Sequence, residues 1–114
     1  MQKLNLVGTE IQDFKFHFGV LELEKLEVYH QMAMGEFLKK YGDGLTTKIS
    51  LIWVGLSRFQ PKYSRDDIGM ILDSYVEQGG DMALIQTVIL KELEDFGIRS
   101  KNGTRAAAPT PNLA

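Results

Sequence analysis

Residues 45–96 read LTTKISLIWVGLSRFQPKYSRDDIGMILDSYVEQGGDMALIQTVILKELEDF, and this stretch decides the fold class because it spells three amphipathic helices in a row. In its middle, Ser64-Arg65-Asp66-Asp67 precedes an apolar repeat. Ser64 is placed to accept a hydrogen bond from an unpaired backbone N–H, and Asp66 and Asp67 lie where the positive end of the helix dipole favours carboxylates. Such a cap contributes about 1 kcal/mol. Behind it Ile68, Ile71, Leu72, Tyr75 and Val76 recur at three-and-four spacing and share one face, while Asp73, Ser74 and Glu77 point elsewhere. Gln78-Gly79-Gly80 stops the run. Asp81 caps the next helix, whose inward face reads Ile85, Val88, Ile89, Leu93 and Phe96, with Lys91, Glu92, Glu94 and Asp95 left for water. Gly97 ends it by permitting a left-handed residue.

The earlier segment, opened by Thr46 or Thr47, differs because Ile49, Leu51, Ile52, Trp53, Val54 and Leu56 cover more than one face. A helix apolar all round needs neighbours on several sides, so this is the expected central helix, ended by Phe59-Gln60-Pro61. Gly55 inside it costs about 1 kcal/mol against alanine and marks an expected close helix crossing.

Upstream the period changes from helical to alternating. Leu4 and Leu6, then Phe14, Phe16 and Phe18, are separated by Lys3, Asn5, Lys15 and His17, with Gly8-Thr9-Glu10 as the turn. Residues 2–18 are therefore expected to form an antiparallel hairpin with one apolar face. A lone hairpin is marginal in water, so its phenylalanine row must lie on the helices. After Gly19 comes a first helix, roughly Val20 to Gln31, with Leu23, Leu26 and His30 aligned and Glu22, Glu24, Lys25 and Glu27 outward. Met34 to Tyr41 follows as a short helix with Phe37, Leu38 and Tyr41 inward, before the loop Gly42-Asp43-Gly44. The expected fold is α+β, mainly α: an N-terminal β-hairpin packed on a bundle of four to five helices.

Composition bounds the function class. The chain has 114 residues, 44% hydrophobic and 25% charged, enough for one core without metal or disulfide staples. Without cysteine there are no disulfides, which suits a reducing compartment. Charges interrupt the N-terminal apolar runs every few residues, so neither a signal peptide nor a membrane span is expected, and the cytoplasm is the expected compartment. A formal net charge of −2 with scattered Lys and Arg argues against nucleic-acid binding, which needs clustered cations. Residues 1–98 are expected to form a single globular domain. Residues 99–114, polar and basic at first and then Ala- and Pro-rich, are expected to be a disordered extension, with too little apolar surface to offset ordering entropy.

No group stands out for chemistry. His17 and His30, the only histidines, lack metal-ligand spacing with any partner. His17 alternates outward in a strand, and His30 ends a helix where a positive charge suits the dipole. Asp66 and Asp67 read as capping residues, since no oxygen-rich loop of calcium type surrounds them. Gly42-Asp43-Gly44 lacks the lysine and hydroxyl of a phosphate loop. No serine sits in a nucleophile elbow, so neither an enzyme nor a cofactor or metal site is expected. The methionines at positions 32, 34, 70 and 82 are core filling or, because thioether side chains adapt to irregular partners, contact residues. Met32 and Met34, at a helix break beside Gly35, are candidate partner-binding residues. Phe59 and Tyr63, flanking Pro61, are a second candidate apolar site.

As an ordered whole, the chain resembles the small tail assembly chaperones of long-tailed bacteriophages and phage-like gene transfer elements. The residues that carry the resemblance are Phe16-His17-Phe18-Gly19 with Leu23-Glu24-Lys25-Leu26, then Ile52-Trp53-Val54-Gly55-Leu56, then Tyr63-Ser64-Arg65-Asp66-Asp67-Ile68 with Ile71-Leu72-Asp73. It covers about residues 2–97 and consists of pattern elements, with no invariant catalytic motif and no binding residues fixed enough to assign by position.

The resemblance implies a protein made in the host cytoplasm during infection, which binds the tape-measure protein, helps tail-tube subunits assemble around it and is absent from the mature virion. Self-association is left open. The family's genes often carry a ribosomal slippage site near their end. Ser100-Lys101-Asn102 is where such a site is expected, with the segment after Asn102 belonging to the short product only. Two other readings compete: a small helical adaptor or regulatory phage protein, and a structural head–tail joining or tail-completion protein.

Overall fold

The computed structural model describes residues 2–98. It is 62% helical, with five helices and a two-stranded antiparallel hairpin at the N-terminus. The strands are β1 (Gln2–Leu4) and β2 (Phe14–Phe16), and the helices are α1 (Val20–His30), α2 (Met34–Tyr41), α3 (Leu45–Ser57), α4 (Arg65–Glu77) and α5 (Met82–Phe96). The expected extension from residue 99 and the expected slippage codons at Ser100–Asn102 lie outside the described residues.

The hairpin is shorter than the alternation suggests. Pairing runs only from Gln2 opposite Phe16 to Leu4 opposite Phe14. Between them the chain closes a compact loop in which Leu6 N–H donates to Ile11 C=O at 2.8 Å and Thr9 N–H to Leu6 C=O at 3.0 Å. Gly8 turns it with φ +78°. Leu6 and Ile11 are buried although neither is in a strand.

α3 is the central helix. It meets α1, α2, α4, α5 and β2, and its Leu51, Ile52, Val54 and Leu56 are fully buried. It starts at Leu45 with Gly44 as its cap, ahead of the expected Thr46 or Thr47, and ends at Ser57, before Phe59-Gln60-Pro61. Gln60 N–H then closes on Leu56 C=O at 2.7 Å. The expected helix crossing at Gly55 is instead a strand-on-helix contact. A Cβ there would lie 2.2 Å from Phe16 Cε1, and His17 N–H donates to Gly55 C=O at 2.9 Å.

The caps of α4 and α5 form as read. Ser64 Oγ accepts from Asp67 N–H at 3.0 Å while Asp67 Oδ2 accepts from Ser64 N–H at 2.9 Å. Asp81 Oδ1 accepts from Ala83 N–H at 2.9 Å, and Gly97 ends α5 with φ +112°. Tyr75 OH ties the two helices by donating to Asp81 C=O at 2.9 Å and accepting from Asp81 N–H at 3.0 Å.

Several side chains point the opposite way from the sequence reading. Glu22, expected outward, is buried at the start of α1, where it accepts from Gly19 N–H at 2.8 Å and lies 3.1 Å from Arg58 Nη2. Glu92, also expected outward, is buried and accepts from Gln2 Nε2 at 3.2 Å, with His17 Nδ1 at 3.5 Å. His17 is accordingly half-buried and does not point to solvent. A buried carboxylate persists only with such partners. Val76 and Phe96, expected inward, are exposed, because the inward faces of α4 and α5 are already filled by Ile68, Leu72 and Tyr75 and by Ile85, Ile89 and Leu93.

Two glycine substitutions separate contact from propensity. Gly55→Ala is expected to destabilise by about 1–3 kcal/mol through overpacking against Phe16. Gly69→Ala, mid-α4 with nothing within 4 Å of the added Cβ, is expected to stabilise by about 1 kcal/mol. Urea midpoints of the two variants check this, and effects of the same sign would contradict the packing.

Candidate docking surfaces

Of the four residues expected to bind a partner, Met32 lies on the α1–α2 connection, Met34 opens α2, and Phe59 and Tyr63 lie on the α3–α4 connection. Met34 is only 8% exposed and joins the core, with its backbone N–H donating to Glu27 Oε2 at 2.7 Å. Met32 is half-buried against the same core. Tyr63 is likewise 8% exposed, its ring 6.2 Å from Phe14 and its hydroxyl donating to the Glu10 carboxylate. Burial pushes its phenol up to about 12, reinforced by that hydrogen bond and by the charges of Glu10 and Asp67. Phe59 is half-buried, with Lys15 Nζ 5.2 Å from its ring centroid.

The apolar opening lies elsewhere, between α2 and α5. A groove of about 710 Å³ is walled by Leu38 on one side and by Ile89, Leu90 and Leu93 on the other, with Ile98 at one end. Its floor includes Thr47, 2% exposed, on the first turns of α3. Thr47 Oγ1 and Gln86 Oε1 are buried there without hydrogen-bond partners. An unpaired buried polar atom costs about 1–3 kcal/mol, and because both atoms are closed to water, an occupant of the groove meets the apolar walls and does not reach them. Lys39 and Asp43 stand at the rim. The sequence marked Leu38, Ile89 and Leu93 as core. The signal that a groove lay there was the pair of polar residues, Thr47 and Gln86, set into otherwise apolar helix faces.

The nearest approach to reactive chemistry is His30 Nε2, 2.7 Å from Ser50 Oγ. Arg65 Nε donates to the same oxygen at 2.9 Å, which leaves the serine proton for the imidazole. Ser50 is fully buried in the middle of α3, so no substrate atom reaches it. The trio reads as a polar tie between α1, α3 and α4. The expected charge on His30 at its helix end is opposed: burial, then Arg65, hold its pKa below the usual 6.5. The ring packs on Phe37 and Tyr41 at centroid distances of 4.7 and 5.9 Å. Among the described residues no three His, Cys, Asp or Glu side chains converge as metal ligands, and no helix is long and apolar enough to cross a membrane.

No family model, no curated protein and no solved structure matches the chain.

His30 gives the tie a pH signature. Because the folded chain holds this proton less readily than the unfolded chain, the unfolded state binds more protons as pH falls below about 6.5. Stability is therefore full above that value and declines beneath it. The urea midpoint is expected to drop between about pH 7.5 and about pH 5.5, by less in His30→Gln than in the native chain. Equal drops in both would contradict the assignment.

Proposed function

We propose that the protein is a non-enzymatic tail assembly chaperone of a long-tailed bacteriophage or related element. It binds the tape-measure protein and helps tail-tube subunits assemble around it, acting in the host cytoplasm during assembly and leaving before the virion is mature. The observation that carries the reading is the α2–α5 groove: an apolar trough of about 710 Å³ between two helices suits the apolar face of an amphipathic segment laid into it. A tape-measure chain, long and helix-rich, presents such segments in series, and many copies of a small helical module suit covering them. The resemblance of the sequence pattern to these chaperones supports the same role.

Co-expression with the tape-measure gene product tests it. The native chain is expected to co-purify with that protein. Leu90→Glu, which puts a charge on the groove wall at a partly exposed site, is expected to weaken the association at least about tenfold, or about 1.4 kcal/mol, while leaving the circular dichroism spectrum unchanged. Mass spectrometry of purified particles is expected to find no copy of the chain. Its presence there would favour a structural joining protein. Failure of the native chain to co-purify would remove the chaperone role.

A further inference from the structure

The outward face of α1 is apolar along its centre line and charged along both edges. Leu21 and Val28, two turns apart, are 66% and 71% exposed. Glu24 and Lys25 lie between them and are exposed as well. With about 3.6 residues per turn, Glu24 falls to one side of the Leu21–Val28 line and Lys25 to the other.

Neighbouring elements show which flank is which. Lys25 Nζ lies 4.9 Å from the Trp53 ring centroid, so the basic flank borders α3. Tyr29 shares that flank, its ring 5.2 Å from Trp53, and the Arg65 guanidinium carbon lies 5.5 Å from the Tyr29 centroid. The acidic flank borders α2, where Glu27 accepts from Met34 N–H at 2.7 Å. Adjacent residues of a helix do not face each other, and among the described residues the ion pairs are His17 with Glu92, Arg58 with Glu22, and Lys91 with Asp95. Glu24 and Lys25 thus turn opposite charges outward on opposite edges of one apolar line.

We propose that this face pairs with the same face of a second copy, the two α1 helices lying parallel about a two-fold axis. That axis sets Leu21 against Leu21 and Val28 against Val28. It also brings the acidic flank of each copy to the basic flank of the other, so that Glu24 meets Lys25 on both sides. An antiparallel pair would lay acidic flank on acidic flank and basic on basic, which like-charge repulsion disfavours. The pattern is complementary to itself, and one symmetry operation satisfies both charges of both copies. The contact is small, because α1 has 11 residues, about 16 Å of helix. A face of that length buries less than the about 1,200 Å² of a stable interface, so the dimer forms and parts with protein concentration. Nothing in this pairing depends on the tape-measure protein.

The chain has no cysteine, so a single introduced thiol reports the geometry. Leu21→Cys and Val28→Cys are each expected to cross-link to their own kind under mild oxidation at least about tenfold faster than Met70→Cys, whose native side chain is 68% exposed on α4. Sedimentation of the native full chain is expected to show a reversible monomer–dimer equilibrium that weakens as salt is raised. Lys25→Glu, which makes both flanks acidic, is expected to dimerise at least about tenfold more weakly, and the exchange of Glu24→Lys with Lys25→Glu to restore the dimer. These side chains are all exposed, and unchanged urea midpoints check that the fold is kept. Equal cross-linking in the three thiol variants, or a native chain still monomeric at about 1 mM, would overturn the pairing. Cross-linking only in a mixture of Leu21→Cys and Val28→Cys, with a dimer that tightens in salt, would overturn the parallel arrangement. Growth past two copies that Leu90→Glu abolishes would overturn it in favour of α1 seated in the α2–α5 groove of the next copy.

Discussion

The contact on which the rest of the architecture depends is Phe16 lying against the bare Cα of Gly55. A two-stranded hairpin has no independent stability in water, and this one is only three residues long on each side. It persists because the ring reaches α3 at a distance no side chain at position 55 would allow, and because His17 N–H then reaches Gly55 C=O. With β2 strapped to α3, β1 is placed to reach α5, where Gln2 Nε2 donates to Val88 C=O at 3.1 Å and to Glu92. The hairpin thus acts as a brace that sets α5 relative to α3.

Buried carboxylates finish what the apolar core begins. Glu22 and Arg58 lock the start of α1 to the end of α3, and Glu92 draws β1, His17 and α5 together. Such groups add little net stability relative to apolar substitutes, but they are costly to mispair and so single out one arrangement. The tie of His30, Ser50 and Arg65 does the same for α1, α3 and α4. α1, α3, α4 and α5 are therefore each held by an apolar stripe and by at least one polar fastening whose partner is remote in the chain, whereas α2 is tied only to the neighbouring end of α1, through Met34 N–H and Glu27.

That division explains what could be read from the sequence. Helix positions followed from local chemistry: the Ser64 and Asp81 caps, the Gly97 stop and the three-and-four spacing of α4 and α5 all act within one turn of their own backbone. The orientation of Glu22 and Glu92 did not, because the residues that make their burial tolerable are Arg58, Gln2 and His17, and local periodicity carries no information about them. Gly55 was marked as a close approach, but its occupant was a phenylalanine about forty residues earlier rather than another helix. The contact residues were least legible. Met34 and Tyr63 looked available because they flank breaks in periodicity, yet those breaks are where the chain folds inward, and both side chains are buried. The exposed apolar residues instead lie on regular helices, at Leu21, Val28 and Leu90, outside the stripes that the spacing assigned to the core.

The account's central claim is that an apolar trough between two helices, and no reactive group, is what the molecule offers a partner. Amide hydrogen exchange of the full chain, alone and bound to the tape-measure protein, tests this most directly. Exchange is expected to slow in residues 34–47 and 82–98, where a seated segment would suppress local opening, and to stay unchanged across α4. Slowing confined to α4 and the hairpin loop, with α2 and α5 unaffected, would contradict the claim.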